Sequence, residues 1–147
     1  MSDEFRAEGE ILLVESDQSV RTEISDSLTK AGFQVTQATD GAHALKVMDR
    51  KTWKWTPRFV IIDTVLPGLS SFELLRRLNE KFEKKDTLLV MMSKYKAPED
   101  EAEAATAGAS GFVLKPLTVD NLKAIYERVQ EKKLKLERST QGFLVNQ

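Results

Sequence analysis

The chain has 147 residues, the size of one domain, and its 41% hydrophobic and 31% charged residues supply a packed core and argue against global disorder. A formal net charge of −1 excludes a protein that holds nucleic acid by bulk charge. With no cysteine and one histidine, His43, disulfides and thiolate metal sites are excluded, and a histidine-built catalytic or metal centre has no material.

The polar start, Met1 to Glu10, lacks the apolar core of a signal peptide, and no apolar run approaches membrane-spanning length. The chain therefore reads as soluble and cytoplasmic, with residues 1–9 as a disordered extension. Ile11-Leu-Leu-Val14 is the first apolar run and ends in Glu15-Ser16-Asp17. Ser16 or Asp17 is placed to cap a helix over Val20 to Lys30, whose Val20, Ile24, Leu28 and Ala31 recur at helical spacing before Gly32 stops it. Phe33 to Gln37 alternates apolar and polar, as in a strand with one less buried face. Asp40 opens a second helix through Ala42, Leu45 and Met48, and Lys51 to Pro57 reads as a loop.

Phe59 to Ile62 is an unbroken, β-branched apolar run that suits a strand buried on both faces of a parallel sheet. It ends at Asp63 and is followed by the turn signal Pro67-Gly68. A helix over about Ser71 to Phe82 carries Phe72, Leu75 and Leu78 inward, and Leu88 to Met92 is the fourth strand, ending at Ser93-Lys94. Pro98 sits where a first helical turn accepts proline, and Glu99 to Ala107 follows, closed by Gly108. Gly111 to Leu114 is a short fifth strand ending at Lys115-Pro116. Thr118 or Asp120 caps a last helix that buries Leu122, Ile125 and Val129, and Ser139 to Gln147 reads as a mobile tail. Five strands alternating with five helices imply right-handed crossovers and a doubly wound α/β domain with one parallel sheet.

In such a sheet the C-terminal strand ends share one edge, where ligands gather. Four of the five strands end there in notable polar residues: Glu15-Ser16-Asp17, Asp63, Ser93 and Lys115. Individually these have ordinary explanations: helix-start acids, a turn hydroxyl, a surface lysine. Together they surround a central carboxylate with acids that suit Mg²⁺ and with a hydroxyl and an ammonium that suit phosphoryl oxygens. The combination points to Asp63 as the nucleophile of a phosphoryl transfer, with a metal neutralising charge.

These motifs, with Val60-Ile-Ile-Asp63-Thr-Val-Leu-Pro-Gly68 and Gly108-Ala-Ser-Gly-Phe-Val-Leu-Lys115-Pro116, resemble the receiver domain of bacterial response regulators. The spacing is similar to that of chemotaxis-type receivers, with 30 residues from Asp63 to Ser93 and 22 from Ser93 to Lys115. The resemblance spans roughly Glu10 to Glu131, leaving 132–147 as a helical extension and tail; extra length before Asp63 falls in the Trp53–Pro57 loop. It implies a flavodoxin-like sheet in the order 2-1-3-4-5. It also implies that Asp63 accepts a phosphoryl group from a histidine kinase, a phosphotransfer protein or a small phosphodonor. Lys115 and Ser93 would bind the phosphoryl oxygens, Ser93 and Phe112 would form the switch, and Pro116 would follow a cis peptide. Mg²⁺ would be held by Glu15, Ser16, Asp63 and the carbonyl of Val65. A downstream protein or fused output domain would be the partner, with no direct nucleic-acid or membrane binding. The face of the fourth helix, fifth strand and fifth helix would dock partners or pair two copies.

The pattern is broken at Ser16, where such receivers place a second acid, so a neutral hydroxyl replaces a carboxylate and Mg²⁺ binding is expected to weaken. Lys94 stands where a small residue is usual, and Ser71 where glycine is common. The reading is thus a non-enzymatic phosphoacceptor; the alternative is a degenerate receiver that docks partners without phosphorylation. Nothing beyond the pocket supplies a general acid or base for a hydrolase. Trp53 and Trp55, two apart, are either a partner contact or edge packing, and His43 reads as a surface residue. Too few residues follow Arg138 for an output domain, so the chain is expected to be either a stand-alone receiver or a fragment.

Overall fold

In the computed structural model, residues 4–50, 56–82 and 86–145 are described, without the side chains of 50 and 140–145. Trp53 and Trp55 lie outside the described residues. The elements are β1 (Gly9–Val14), α1 (Gln18–Ala31), β2 (Phe33–Ala38), α2 (Gly41–Arg50), β3 (Phe59–Asp63), α3 (Ser71–Lys81), β4 (Leu88–Ser93), α4 (Pro98–Ala107), β5 (Gly111–Leu114) and α5 (Val119–Val145). All strand pairings are parallel, in the order β2-β1-β3-β4-β5.

Successive strand residues point to opposite faces, and this alternation builds two cores. Leu12, Val14, Val60, Ile62, Leu89 and Met91 face α2, α3 and α4. Ile11, Leu13, Phe59, Ile61, Val90 and Met92 face α1 and α5, where Ile24, Leu28, Leu122 and Ile125 cover them. Every residue of β3 and β4 is buried, as their unbroken apolar runs require.

The caps follow from the residues available. Asp17 rather than Ser16 caps α1, its carboxylate accepting from Val20 N–H at 3.1 Å. Asp40 accepts from His43 N–H at 2.8 Å, and Nδ1 of the exposed His43 accepts from Thr39 N–H at 3.0 Å. Thr118, not Asp120, caps α5, in a reciprocal exchange with Asn121.

Two differences from the sequence reading lie at the chain ends. Residues 4–8, expected to be a disordered extension, lie against the N-terminal edge of the sheet. Phe5 is half-buried against Phe33 and Tyr126, at ring separations of 6.4 and 5.6 Å. The Arg58 guanidinium sits 4.8, 5.4 and 5.0 Å from the rings of Phe5, Phe59 and Tyr126 and donates to the carbonyls of Arg6 and Glu8. A Cβ at Gly32 would lie 2.2 Å from the Ala7 carbonyl oxygen, so glycine admits this segment. At the other end, α5 remains helical to Val145, through residues read as a tail. Its charged stretch from Glu131 to Ser139 is exposed, as expected of a helix continuing past the core. No helix among the described residues is long and apolar enough to cross a membrane.

Candidate functional site

The site lies along the C-terminal edge of β1, β3, β4 and β5. Glu15 continues β1, its N–H donating to the Ala38 carbonyl at 3.0 Å. Asp63 is the last residue of β3, beside Met92 of β4. Lys115 follows β5 and is held by its N–H on the Ser93 carbonyl at 2.9 Å. Its Nζ lies 2.7 Å from Glu15 Oε1 and 3.0 Å from Asp63 Oδ2. The three side chains are 1%, 7% and 10% exposed for Glu15, Asp63 and Lys115, so this is a buried carboxylate–ammonium–carboxylate cluster. Glu15 Oε2 accepts from Asp17 N–H at 3.0 Å, whereas Oε1 depends on the ammonium alone among the described residues.

The electrostatics follow from burial. Desolvation raises the Asp63 carboxyl above its ordinary value; Lys115 opposes that rise and Glu15 adds to it. Burial alone would lower the Lys115 ammonium, but its two carboxylate partners outweigh desolvation and the net shift is upward. At neutral pH the lysine is therefore a fixed cation.

A cleft of about 270 Å³ opens over this cluster, bounded also by Ser16, Asp17, Thr64, Ser93, Lys94 and Tyr95. Ser93 is buried at the end of β4 and its Oγ accepts from Tyr95 N–H at 3.2 Å. Val65 N–H faces Asp63 Oδ1 at 3.4 Å, while its side chain and that of Tyr95 are each 76% exposed beside the cleft. Lys94 is exposed at the rim. The Lys115–Pro116 peptide is cis. Phe112 is half-buried on β5, packed against the core on the α4 side rather than lining this cleft.

The donor set for a metal is hard and oxygen-only, which matches Mg²⁺ in kind. It is short of charge. Ser16 is exposed and neutral, Asp17 is committed to the α1 cap, and Glu15 and Asp63 already share Lys115. No group of three His, Asp or Glu side chains among the described residues gathers as a metal site.

One residue of the site, Arg21, escaped the sequence reading, and Ser71 was read only as standing where glycine is common. The buried Ser71 hydroxyl donates to the Asp63 carbonyl at 2.6 Å, fixing the peptide that carries the carboxylate. Arg21 reaches back from α1 to donate to the carbonyls of Glu15 at 2.8 Å and Ser16 at 3.4 Å. A signal for Arg21 was present: a cation near a helix N-terminus opposes the helix dipole and asks for another partner.

Comparison with known proteins follows the same lines. The response regulator receiver domain family model matches residues 11–127. The chain is 30% identical over 123 residues to the chemotaxis protein CheY-3 of Vibrio cholerae, covering 83% of this chain and 92% of that protein. It is 32% identical to the transcriptional activator protein PfeR of Pseudomonas aeruginosa, covering 78% of this chain but only 35% of that longer protein. Among solved structures, Vibrio cholerae CheY4 aligns with a TM-score of 0.69 at 27% identity, over 82% of this chain and 98% of that one. NtrX from Brucella abortus aligns with a TM-score of 0.70 at 29% identity, over 90% of this chain and 30% of that one. With its 2-1-3-4-5 sheet and this edge cluster, the chain belongs to the response regulator receiver domain family of two-component systems.

Proposed function

We propose that this receiver accepts a phosphoryl group on Asp63, from a histidine kinase, a phosphotransfer protein or a small phosphodonor, and thereby switches a protein-docking surface. The observation that carries the reading is the buried Asp63 carboxylate at the end of β3, 3.0 Å from the Lys115 ammonium. A carboxylate oxygen of Asp63 attacks phosphorus, the bond from phosphorus to the donor's leaving atom breaks, and the leaving group departs with that electron pair. Lys115 exchanges one carboxylate partner for the phosphoryl oxygens, and the Ser93 hydroxyl donates to another of them. Ser71 keeps the Asp63 peptide from recoiling, since its hydroxyl holds the carbonyl at 2.6 Å.

A divalent ion such as Mg²⁺ would be held by Glu15, Asp63 and the Val65 carbonyl, with Ser16 as a neutral donor, and would supply neutralisation of the phosphoryl charge. Repositioning of Ser93 around the phosphoryl group would be relayed to Phe112, biasing two pre-existing surfaces. The surface that responds is that of α4, β5 and α5, where Leu114 is exposed. A downstream protein, an output domain or a second copy of the chain would dock there.

The second reading, a receiver that docks partners without phosphorylation, is favoured by one observation: the metal donor set has only two carboxylates, both engaged by Lys115. Intact-mass measurement after acetyl phosphate and Mg²⁺, on wild type and Asp63→Asn, separates the two. An adduct of one phosphoryl group, absent from the variant, is expected. No adduct at saturating Mg²⁺ would leave the phosphorylation-independent reading standing.

A further inference from the structure

We infer that Arg21 is a positioning residue of the phosphoacceptor site, a clamp that fixes the β1–α1 turn so that the Glu15 carboxylate reaches Lys115. The inference rests on the phosphoacceptor reading for its functional consequence, but its geometry stands independently. One guanidinium nitrogen, Nη1, donates to two consecutive carbonyls, Glu15 at 2.8 Å and Ser16 at 3.4 Å. Nε of the same group donates to Gln37 Oε1 on β2 at 3.1 Å, and Gln37 Nε2 donates to the buried Ser25 hydroxyl of α1 at 3.0 Å. The turn is thereby tied to both neighbouring elements.

The main chain of Glu15 is consequently held from both sides, its N–H on Ala38 and its carbonyl on Arg21. With the peptide fixed, Glu15 Oε2 receives the Asp17 N–H at 3.0 Å and Oε1 meets the Lys115 ammonium at 2.7 Å. Arg21 touches neither carboxylate of the cluster, so its action runs through the backbone. Helix energetics do not account for it. The first turn of α1 has no acid, and a cation one turn past the cap opposes the dipole. The carbonyl contacts compensate for that misplacement. They also occupy the carbonyls of the two residues that follow β1, Glu15 and the neutral Ser16. A planar, multi-donor guanidinium can bridge two carbonyls and a side-chain amide at once, which an ammonium does less completely.

The test compares wild type, Arg21→Ala and Arg21→Lys as 147-residue chains, with two readouts. The first is amide hydrogen exchange at Asp17, whose N–H is bonded to Glu15, against Leu12 and Leu13 within β1. The second is the rate constant of Asp63 phosphorylation by acetyl phosphate at saturating donor and Mg²⁺. In Arg21→Ala, exchange at Asp17 should accelerate about tenfold with Leu12 and Leu13 unchanged, and the rate constant should fall about tenfold, the lower range for losing a partner that orients a site group. Arg21→Lys should recover most of both. Unchanged Asp17 exchange in Arg21→Ala overturns the inference. So does faster exchange throughout β1 that Arg21→Lys fails to restore, which would mark a purely structural role. If wild type forms no adduct, the phosphoacceptor reading falls, and Asp17 exchange alone still decides whether Arg21 positions Glu15.

Discussion

Lys115→Met removes the cation that bridges two buried carboxylates and keeps most of the side-chain volume. Glu15 and Asp63, 1% and 7% exposed, would be left charged and facing the same space without the ammonium that now lies 2.7 and 3.0 Å from them. Removing one partner of a buried ion pair costs about 3–5 kcal/mol, and here one removal orphans two anions. Against a total stability of about 5–15 kcal/mol for a domain, the loss would be a large fraction. With a urea m-value of about 2 kcal/mol per molar, the unfolding midpoint followed by far-UV circular dichroism should drop by about 2 M at neutral pH. The deficit should shrink as pH falls, because the Asp63 carboxyl, already raised by burial, takes up a proton and removes one of the two charges. Lys115→Met combined with Asp63→Asn should recover most of the loss, since one neutral amide replaces one orphaned anion. A loss below about 1 kcal/mol at neutral pH, the range of an exposed pair, would refute the view of a buried, desolvated cluster.

Other perturbations follow from the same geometry. The folded-state pKa of Asp63 is raised, so its contribution to stability is fully present below the ordinary value of 3.8 and is lost as pH rises through the folded value. The stability of wild type relative to Asp63→Asn should therefore decline over that interval, and a flat difference in urea titrations from pH 3 upward would contradict the shift. Phosphorylation by acetyl phosphate should show the kinetic counterpart, a rate that falls in acid with a midpoint above 3.8 because the nucleophile is the carboxylate. Ser16→Asp should tighten Mg²⁺ by about tenfold in calorimetric titration, as ligand charge at a hard-cation site increases; no gain would mean that position 16 does not face the metal. Ser71→Ala leaves the buried Asp63 carbonyl without its 2.6 Å donor and should cost about 1–3 kcal/mol in urea unfolding. Gly111→Ala would put a Cβ 2.5 Å from Ile125 Cδ1 and should lower stability by about 1–3 kcal/mol, unless α5 shifts outward, which nuclear Overhauser contacts between β5 and α5 would show.

The sequence by itself determined the architecture. Unbroken apolar runs at Phe59–Ile62 and Leu88–Met92 suit strands buried on both faces, and β3 and β4 are buried throughout. Helical spacing in 20–31 and 71–82 placed α1 and α3, and the alternation of elements dictated a parallel sheet. Once the sheet is parallel, Glu15, Asp63, Ser93 and Lys115 must share one edge, so the gathering of these four residues was legible in the sequence. Charge direction was not. Asp17 rather than Ser16 takes the cap, Glu15 turns inward to Lys115, and Arg21 reaches back five and six residues to hold the turn. Phe5 also packs against Phe33 and Tyr126 in a segment whose composition reads as disordered. Apolar periodicity is a local property that the chain displays along its own length. The orientation of a polar side chain at a strand end depends on which partners three separate strands and a helix bring within 3 Å, and only the assembled tertiary structure decides that.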